Sequence, residues 1–368
     1  MKILQVNKFY YPWVGGVEKV VQQIAEGLNE ENNLKIDVLA CNSRNERVIE
    51  EVNKVKVFRA KTLKVILGMP LSFDFLSLYK KIAEDYDLIF LHYPFPLSFL
   101  AYFLFSRGKD LVIWYHSDIV RQRLLEVLFK PLHLFCLKKA KKIFVSNPNL
   151  IRSSNYLSKF EYKCVVIPFG VDLNYFQANK DIKKKSAKIK QIFKKPLILS
   201  VGRLVSYKGF KYLIKAALEV EAQFLIIGEG KLKRSLLKLI KKLNLSDKFF
   251  ILPFVDDLRP YYLACDIFVL PSISKAEAFG IVLLEAIVCG KPVISTRLNT
   301  GVDWLNMDQS TGFVVEPKNE KELASRINFL LKNKDFYQQF SENSKKRAKE
   351  FSLEKFLISL KNELLSSS

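Results

Sequence analysis

The stretch Glu277-Ala-Phe-Gly-Ile-Val-Leu-Leu-Glu285-Ala-Ile-Val-Cys-Gly290-Lys-Pro292-Val-Ile-Ser295 decides how the rest of the chain is read. Gly280 marks the entry of a helix and Gly290 its end, and Pro292 blocks continuation into an apolar run at 293–295 that reads as a strand. Glu277 then falls in the loop before the helix, while Glu285 sits on its second turn among Val282, Leu283, Leu284 and Ile287. A carboxylate in such apolar surroundings requires hydrogen-bond donors, and ligand hydroxyls are one source. The plainer alternative, a helix-start acid plus a surface acid, suits Glu277 better than Glu285.

Working outward, short apolar runs alternate with helical patterns on both sides of this stretch. In the second half the strand candidates are 197–201, 224–227, 249–252, 267–270, 293–295 and 312–315. In the first half they are 3–6, 35–39, 55–59, 88–91, 111–115, 142–145 and 164–167. Strands separated by helices argue for parallel sheets built from βαβ units. The pattern breaks over 172–195, where Asp181-Ile-Lys-Lys-Lys-Ser-Ala-Lys-Ile-Lys190 is charged and poorly periodic, as expected of an interdomain connection with a leading helix;. Two domains follow, 1–172 and 173–351, with a final helix at 352–368 that exceeds what the second sheet needs for cover and is expected to pack back on the first. A length of 368 residues suits two cores better than one;.

Lys and Arg number 59 against 37 acidic residues, a formal charge of +22, which predicts anionic partners or a lysine-rich, solvated surface;. Five cysteines without a CxxC pair, and three histidines at no metal-like spacing, predict a reduced protein without a structural metal;. The first residues read as a strand, not a secretory signal. The apolar stretch 88–105 carries His92, Pro94, Pro96 and Ser98, which suits strand, turn and helix better than a membrane span of about 20 apolar residues;.

Candidate functional residues fall at the carboxyl ends of predicted strands, where open α/β sheets bind ligands. Gly15-Gly16 precedes a helix, so backbone amides and the positive helix end face that position; a plain connecting turn fits equally;. Gly202-Arg203-Leu-Val-Ser-Tyr-Lys208-Gly209 places two cations after the strand at 197–201, Arg203 as a planar fork and Lys208 as a mobile point charge, unless the loop is merely solvated;. His116 in Trp114-Tyr-His-Ser-Asp118 reads as a proton-exchanging or hydrogen-bonding group or as a structural loop histidine, His92 has the same ambiguity, and His133 reads as packing;.

Together these elements resemble glycosyltransferase family 4, retaining enzymes of the GT-B type, over nearly the whole chain. The resemblance implies an α/β fold of two Rossmann-like domains, with parallel sheets facing across a cleft. The first domain would bind the acceptor and the second a nucleotide sugar. It implies that Glu285 holds the donor ribose hydroxyls and that Glu277 contacts the transferred sugar. Arg203 and Lys208 would neutralise the diphosphate, helped by Gly15, Gly16, Gly202 and the amides of Phe279, Gly280 and Ile281, and His116 would hydrogen-bond the donor sugar. No cofactor or metal is implied: cations and helix ends stabilise the leaving diphosphate, and its departing oxygen takes the acceptor's proton.

The runs 114–122, Ile167-Pro-Phe-Gly-Val-Asp172 and Thr296-Arg-Leu-Asn-Thr-Gly301 resemble bacterial mannosyltransferases of lipopolysaccharide O-antigen assembly, which implies GDP-mannose as donor and a lipid-linked saccharide as acceptor. Asn299 departs from the glycine common at its position. A lipid-borne acceptor would place the enzyme in the cytoplasm, peripheral on the anionic inner face of the plasma membrane, with Lys138-Lys139-Ala-Lys141-Lys142 behind the apolar stretch 124–137 as the candidate contact;. A GT-B epimerase, a glycan phosphorylase and the same transfer chemistry with a UDP-sugar remain open. A nucleic-acid-binding protein is favoured by charge alone, and no nucleic-acid partner is expected.

Overall fold

The computed structural model describes residues 1–13, 15–29, 33–66, 68–119 and 123–367, with the side chains of 123–126 excepted. The chain forms two compact units, Met1–Phe169 with Glu354–Ser368, and Gly170–Leu353.

The first unit runs β1 (Lys2–Val6), α1 (Gly16–Asn29), β2 (Lys35–Cys41), β3 (Val48–Val52), β4 (Val55–Ala60), the short hairpin β5 (Lys64–Ile66) and β6 (Met69–Leu71), α2 (Phe73–Ile82), β7 (Leu88–Tyr93), α3 (Pro96–Phe105), β8 (Asp110–Tyr115), α4 (Arg123–Lys139), β9 (Lys142–Val145), α5 (Pro148–Ser153) and β10 (Cys164–Val166). The sheet order is β10-β9-β8-β7-β1-β2-β4-β3, parallel except for the edge strand β3. Alternation along the strands sends Leu4, Val6, Ile89, Leu91, Ile113 and Tyr115 into one core;. The other face carries Gln5, Phe90, His92, Trp114 and Phe144, and all of them are buried.

The second unit runs α6 (Lys180–Ile192), β11 (Leu197–Val201), α7 (Phe210–Ala216), β12 (Gln223–Ile227), α8 (Lys233–Lys242), β13 (Phe249–Leu252), α9 (Arg259–Ala264), β14 (Ile267–Leu270), α10 (Ile281–Val288), β15 (Val293–Thr296), α11 (Gly301–Leu305), β16 (Gly312–Val315), α12 (Glu320–Lys332) and α13 (Lys334–Ala348). Its six strands are all parallel in the order β13-β12-β11-β14-β15-β16, the doubly wound Rossmann arrangement, so the direction of winding reverses between β11 and β14;.

The last helix, α14 (Leu353–Leu365), lies on the first unit. Phe356 packs edge-on to Trp114 at 5.7 Å, and Lys142 Nζ pairs with Glu363 Oε2 at 2.6 Å. The units divide at 169/170 and 353/354, where the sequence pattern suggests 172/173 and 351/352.

Candidate functional site

In the second unit the strand crossover between β11 and β14 gathers four of the candidate side chains or their neighbours. Gly202 follows β11 with φ +150°, and a Cβ there would lie 2.9 Å from Cε of Lys208, so the lysine stem lies against the glycine. Lys208 is not the mobile surface charge that its loop position suggests. It is 7% exposed, and its Nζ pairs with Glu277 Oε2 at 2.7 Å, with Glu277 itself 8% exposed. Ser272 Oγ donates to the same carboxylate oxygen at 2.9 Å, and Thr296 Oγ1 donates to the Ser272 carbonyl. A charge taken out of water needs such a partner, which is why the pair forms across the crossover rather than in solvent. Arg203 remains exposed; its Nη2 donates to Tyr207 Oη at 3.4 Å, and Lys208 Nζ stands 5.9 Å from the Tyr207 ring, so one tyrosine touches both cations.

Gly280 is the N-cap of α10, with φ +84°, and Phe279 before it is buried. The amides of Gly280 and Ile281 belong to the opening of that helix, while Leu283 and Leu284 donate back to the Gly280 carbonyl. Glu285 is buried on the second turn, and Tyr262 Oη donates to its Oε2 at 2.9 Å, a donor supplied by the protein itself. Burial, reinforced by the Glu285 carboxylate, holds the Tyr262 hydroxyl well above its ordinary value, so it stays a donor. Asn299 adopts φ +53°, in the left-handed region that asparagine and glycine tolerate best, and Thr300 with Asp303 forms a capping box on α11;.

In the first unit Gly16 opens α1, and Gly15 lies under a carboxylate: a Cβ on Gly15 would come 2.1 Å from Glu18 Oε2. The room above this glycine is therefore filled by the chain's own acid at the positive helix end. His116 lies one residue beyond β8 and is buried; its Nε2 is 2.9 Å from Nδ1 of His92, whose Nε2 is 2.8 Å from Gln5 Nε2. Desolvation, with a contribution from Lys8, lowers His116 to about 3, and desolvation likewise lowers His92 well below its ordinary value. His133 packs as expected, stacked 4.2 Å from Tyr93 and lowered to about 3 by burial.

The structure thus brings Gly202, Lys208 and Glu277 into direct contact, joins Arg203 to them through Tyr207, and ties Glu285 to Tyr262. His116, Gly15 and Gly16 belong to the other unit. Of the basic cluster, Lys141 pairs with Asp110 and Lys142 with Glu363, while Lys138 and Lys139 are exposed. Val120, Arg121 and Gln122 of the run 114–122, and the side chains of 123–126 in the adjoining apolar stretch, lie outside what is described. Sequence reasoning missed Gln5, Ser272 and Tyr262. The signal for Gln5 is a lone amide inside the strand Ile3-Leu4-Gln5-Val6, whereas Ser272 and Tyr262 have no local signature.

No helix among the described residues is long and apolar enough to cross a membrane. A family model described as Glycosyltransferase Family 4 matches residues 14–175, and one described as Glycosyl transferases group 1 matches residues 181–347. The chain is 32% identical over 353 residues to an O-antigen chain mannosyltransferase of Escherichia coli, covering 95% of this chain and 94% of that one. It is 27% identical over 361 residues, 92% of each chain, to an N-acetylgalactosaminyltransferase of Campylobacter jejuni whose name gives a diphospho-undecaprenol-linked saccharide as acceptor. In fold it matches an Anabaena protein solved in complex with UDP, with a TM-score of 0.82, 20% identity and full coverage of both chains. With a Rossmann-type sheet in each unit and these relatives along nearly its whole length, the chain belongs to glycosyltransferase family 4 and is a hexosyl-transferring enzyme of the GT-B fold.

Proposed function

We propose that this enzyme transfers a mannosyl residue from GDP-mannose to a lipid-linked saccharide, with retention, in the assembly of a surface polysaccharide such as O-antigen or capsule. The observation that carries the transfer chemistry is the Lys208–Glu277 pair, buried where the strand order reverses. A fixed cation there stabilises negative charge growing on a departing diphosphate without waiting for solvent to reorganise. Glu277 holds that cation in place and offers its other oxygen to sugar hydroxyls. Glu285, already oriented by Tyr262, takes the ribose hydroxyls, Arg203 with its exposed fork meets the diphosphate, and the amides of Phe279, Gly280 and Ile281 assist. On the first unit, His116 offers a hydrogen bond to a sugar hydroxyl, while Glu18 already fills the position above Gly15. The leaving phosphate oxygen accepts the acceptor's proton on the same face of the sugar, so no protein nucleophile is required. The mannosyl donor rests on the likeness to the E. coli enzyme.

The lipid-borne acceptor places the enzyme at the anionic inner face of the membrane. The charge of +22 supports this, since each Lys or Arg near such a surface contributes about 1 kcal/mol;. So do exposed apolar side chains, Val127 and Leu128 on α4 and Val65, Ile66 and Leu71 on the β5–β6 hairpin. Flotation with anionic but not neutral vesicles is the expected result.

The donor is tested by thermal shift against a set of nucleotide sugars, where a ligand at about 100 times its Kd stabilises by roughly 2.7 kcal/mol. GDP-mannose is expected to give the largest shift and to be consumed with release of GDP when a diphospholipid-linked saccharide is supplied. Glu285→Ala is expected to lower kcat/KM about a hundredfold. A larger shift with a UDP-sugar overturns the donor, and conversion of the sugar nucleotide to a stereoisomer without acceptor overturns transfer in favour of epimerisation.

A further inference from the structure

β1 and β7 are the strands between which the order of the first sheet reverses, and each sends one polar side chain to the same buried face. Gln5 lies opposite Phe90 in register, and His92 follows Phe90 by two residues, which returns it to Gln5's side;. The three groups form a file, Gln5 Nε2 to His92 Nε2 at 2.8 Å and His92 Nδ1 to His116 Nε2 at 2.9 Å. Aromatic rings enclose it: Phe90 lies 4.9 Å from His92, and Trp114 and Phe169 lie 6.0 and 5.8 Å from His116. Such surroundings keep both imidazoles uncharged at neutral pH, so each ring carries a single N–H;.

An amide nitrogen only donates. With the amide nitrogen of Gln5 facing it, Nε2 of His92 accepts, and the one proton of that ring sits on Nδ1. Nδ1–H then donates to Nε2 of His116, whose own proton is left on Nδ1. The opposite amide orientation reverses every bond in the file and leaves His116 with a bare Nδ1. The two orientations differ in cost. Oε1 of Gln5 is buried without a partner among the described residues, and turning the amide over would pair that oxygen but raise the unpaired N–H groups from one to two;. An orphaned buried N–H is the rarer of the two.

We infer that Gln5 and His92 are positioning residues that fix His116 in its Nδ1–H tautomer, so that the imidazole meets the substrate as a hydrogen-bond donor and not as a base. The inference rests on His116 being the group that hydrogen-bonds the donor sugar. A donor at that position stabilises charge on a hydroxyl or ring oxygen, whereas a base would compete with the leaving phosphate for the acceptor's proton.

Nitrogen NMR of protein labelled at its three histidines tests the tautomer directly. In the unsubstituted enzyme, His92 and His116 are expected to show a protonated Nδ1 and a bare Nε2; a protonated Nε2 on His116 overturns the inference. Gln5→Leu and His92→Phe are expected to leave His116 as a mixture of tautomers. They should lower kcat about tenfold, less than outright loss of the donor, with the donor KM changed less than about twofold. His92→Asn, whose amide nitrogen takes the place of Nδ1, is expected to keep the tautomer and restore most of kcat. Equal losses in the Phe and Asn variants, with the His116 tautomer unchanged in both, make the role merely structural and sink the proposal. If the tautomer is as expected but no nucleotide sugar is turned over, the file stands and the transferase reading of this site falls.

Discussion

The two sheets reverse their strand order in the same way but fill the position at the reversal with opposite chemistry. In the second unit a full charge pair is buried there, Lys208 against Glu277, with serine and glycine as its immediate supports. In the first unit the same position holds an uncharged file of an amide and two imidazoles among aromatic rings. All three histidines of the chain lie in the first unit. A fold that delivers strand ends to one edge does not prescribe what stands on them. An ionic pair suits a leaving group that gains charge, and a neutral donor suits a sugar that must be held without being deprotonated.

The largest expected effect breaks the ionic side. Lys208→Ala strands the Glu277 carboxylate in a buried setting and should destabilise the second unit by about 3–5 kcal/mol, with activity lost as well. Adding Glu277→Gln should return much of that stability but not the activity. Denaturant unfolding of both variants checks this, and an undiminished single variant would mean that solvent reaches the pair.

The next effect sharpens the neutral side. His116 and His133 are lowered to about 3 against an ordinary 6.5, and His92 also lies well below it. The unfolded chain therefore binds protons that the folded unit refuses, and stability is expected to be level above about pH 6.5. It should then fall as pH drops from 6.5 toward 3;. Amide hydrogen exchange should show strands β7 and β8 losing protection between pH 7 and 5, while β11 and β14, in a unit without histidine, lose less. Equal losses in both sheets would erase the contrast.

The smallest effect concerns a neutral donor inside the ionic unit. Tyr262→Phe removes one hydrogen bond to Glu285 while keeping the ring, and should cost about 1 kcal/mol;. Thermal unfolding measures it, and a loss several times larger would show that Glu285 depends on Tyr262 more heavily than one bond allows.

Much of the architecture was legible because parallel strands buried on both faces spell themselves as short apolar runs between helices. The runs at 197–201 and 267–270 coincide with β11 and β14. The strand β3, Val-Ile-Glu-Glu-Val, was not legible, since an antiparallel edge strand open to solvent needs no apolar alternation;. Glu285 announced itself by being an acid on an apolar helix. The pairing of Lys208 with Glu277 did not, because it depends on β11 and β14 lying side by side, and no local pattern records which strands become neighbours. The same is true of Gln5 and His92, which stand far apart in the chain and meet only because β1 and β7 pair.

The return of α14 to the first unit has a consequence for how the protein is made. As the chain leaves the ribosome, the face of the first sheet that bears Trp114 emerges well before Phe356, the residue that packs on it, and the whole of 170–353 is synthesised in between. The newborn amino-terminal half must therefore keep an aromatic surface uncovered until the last helix arrives, and a chain stopped short of that helix would carry a sticky, half-finished lobe.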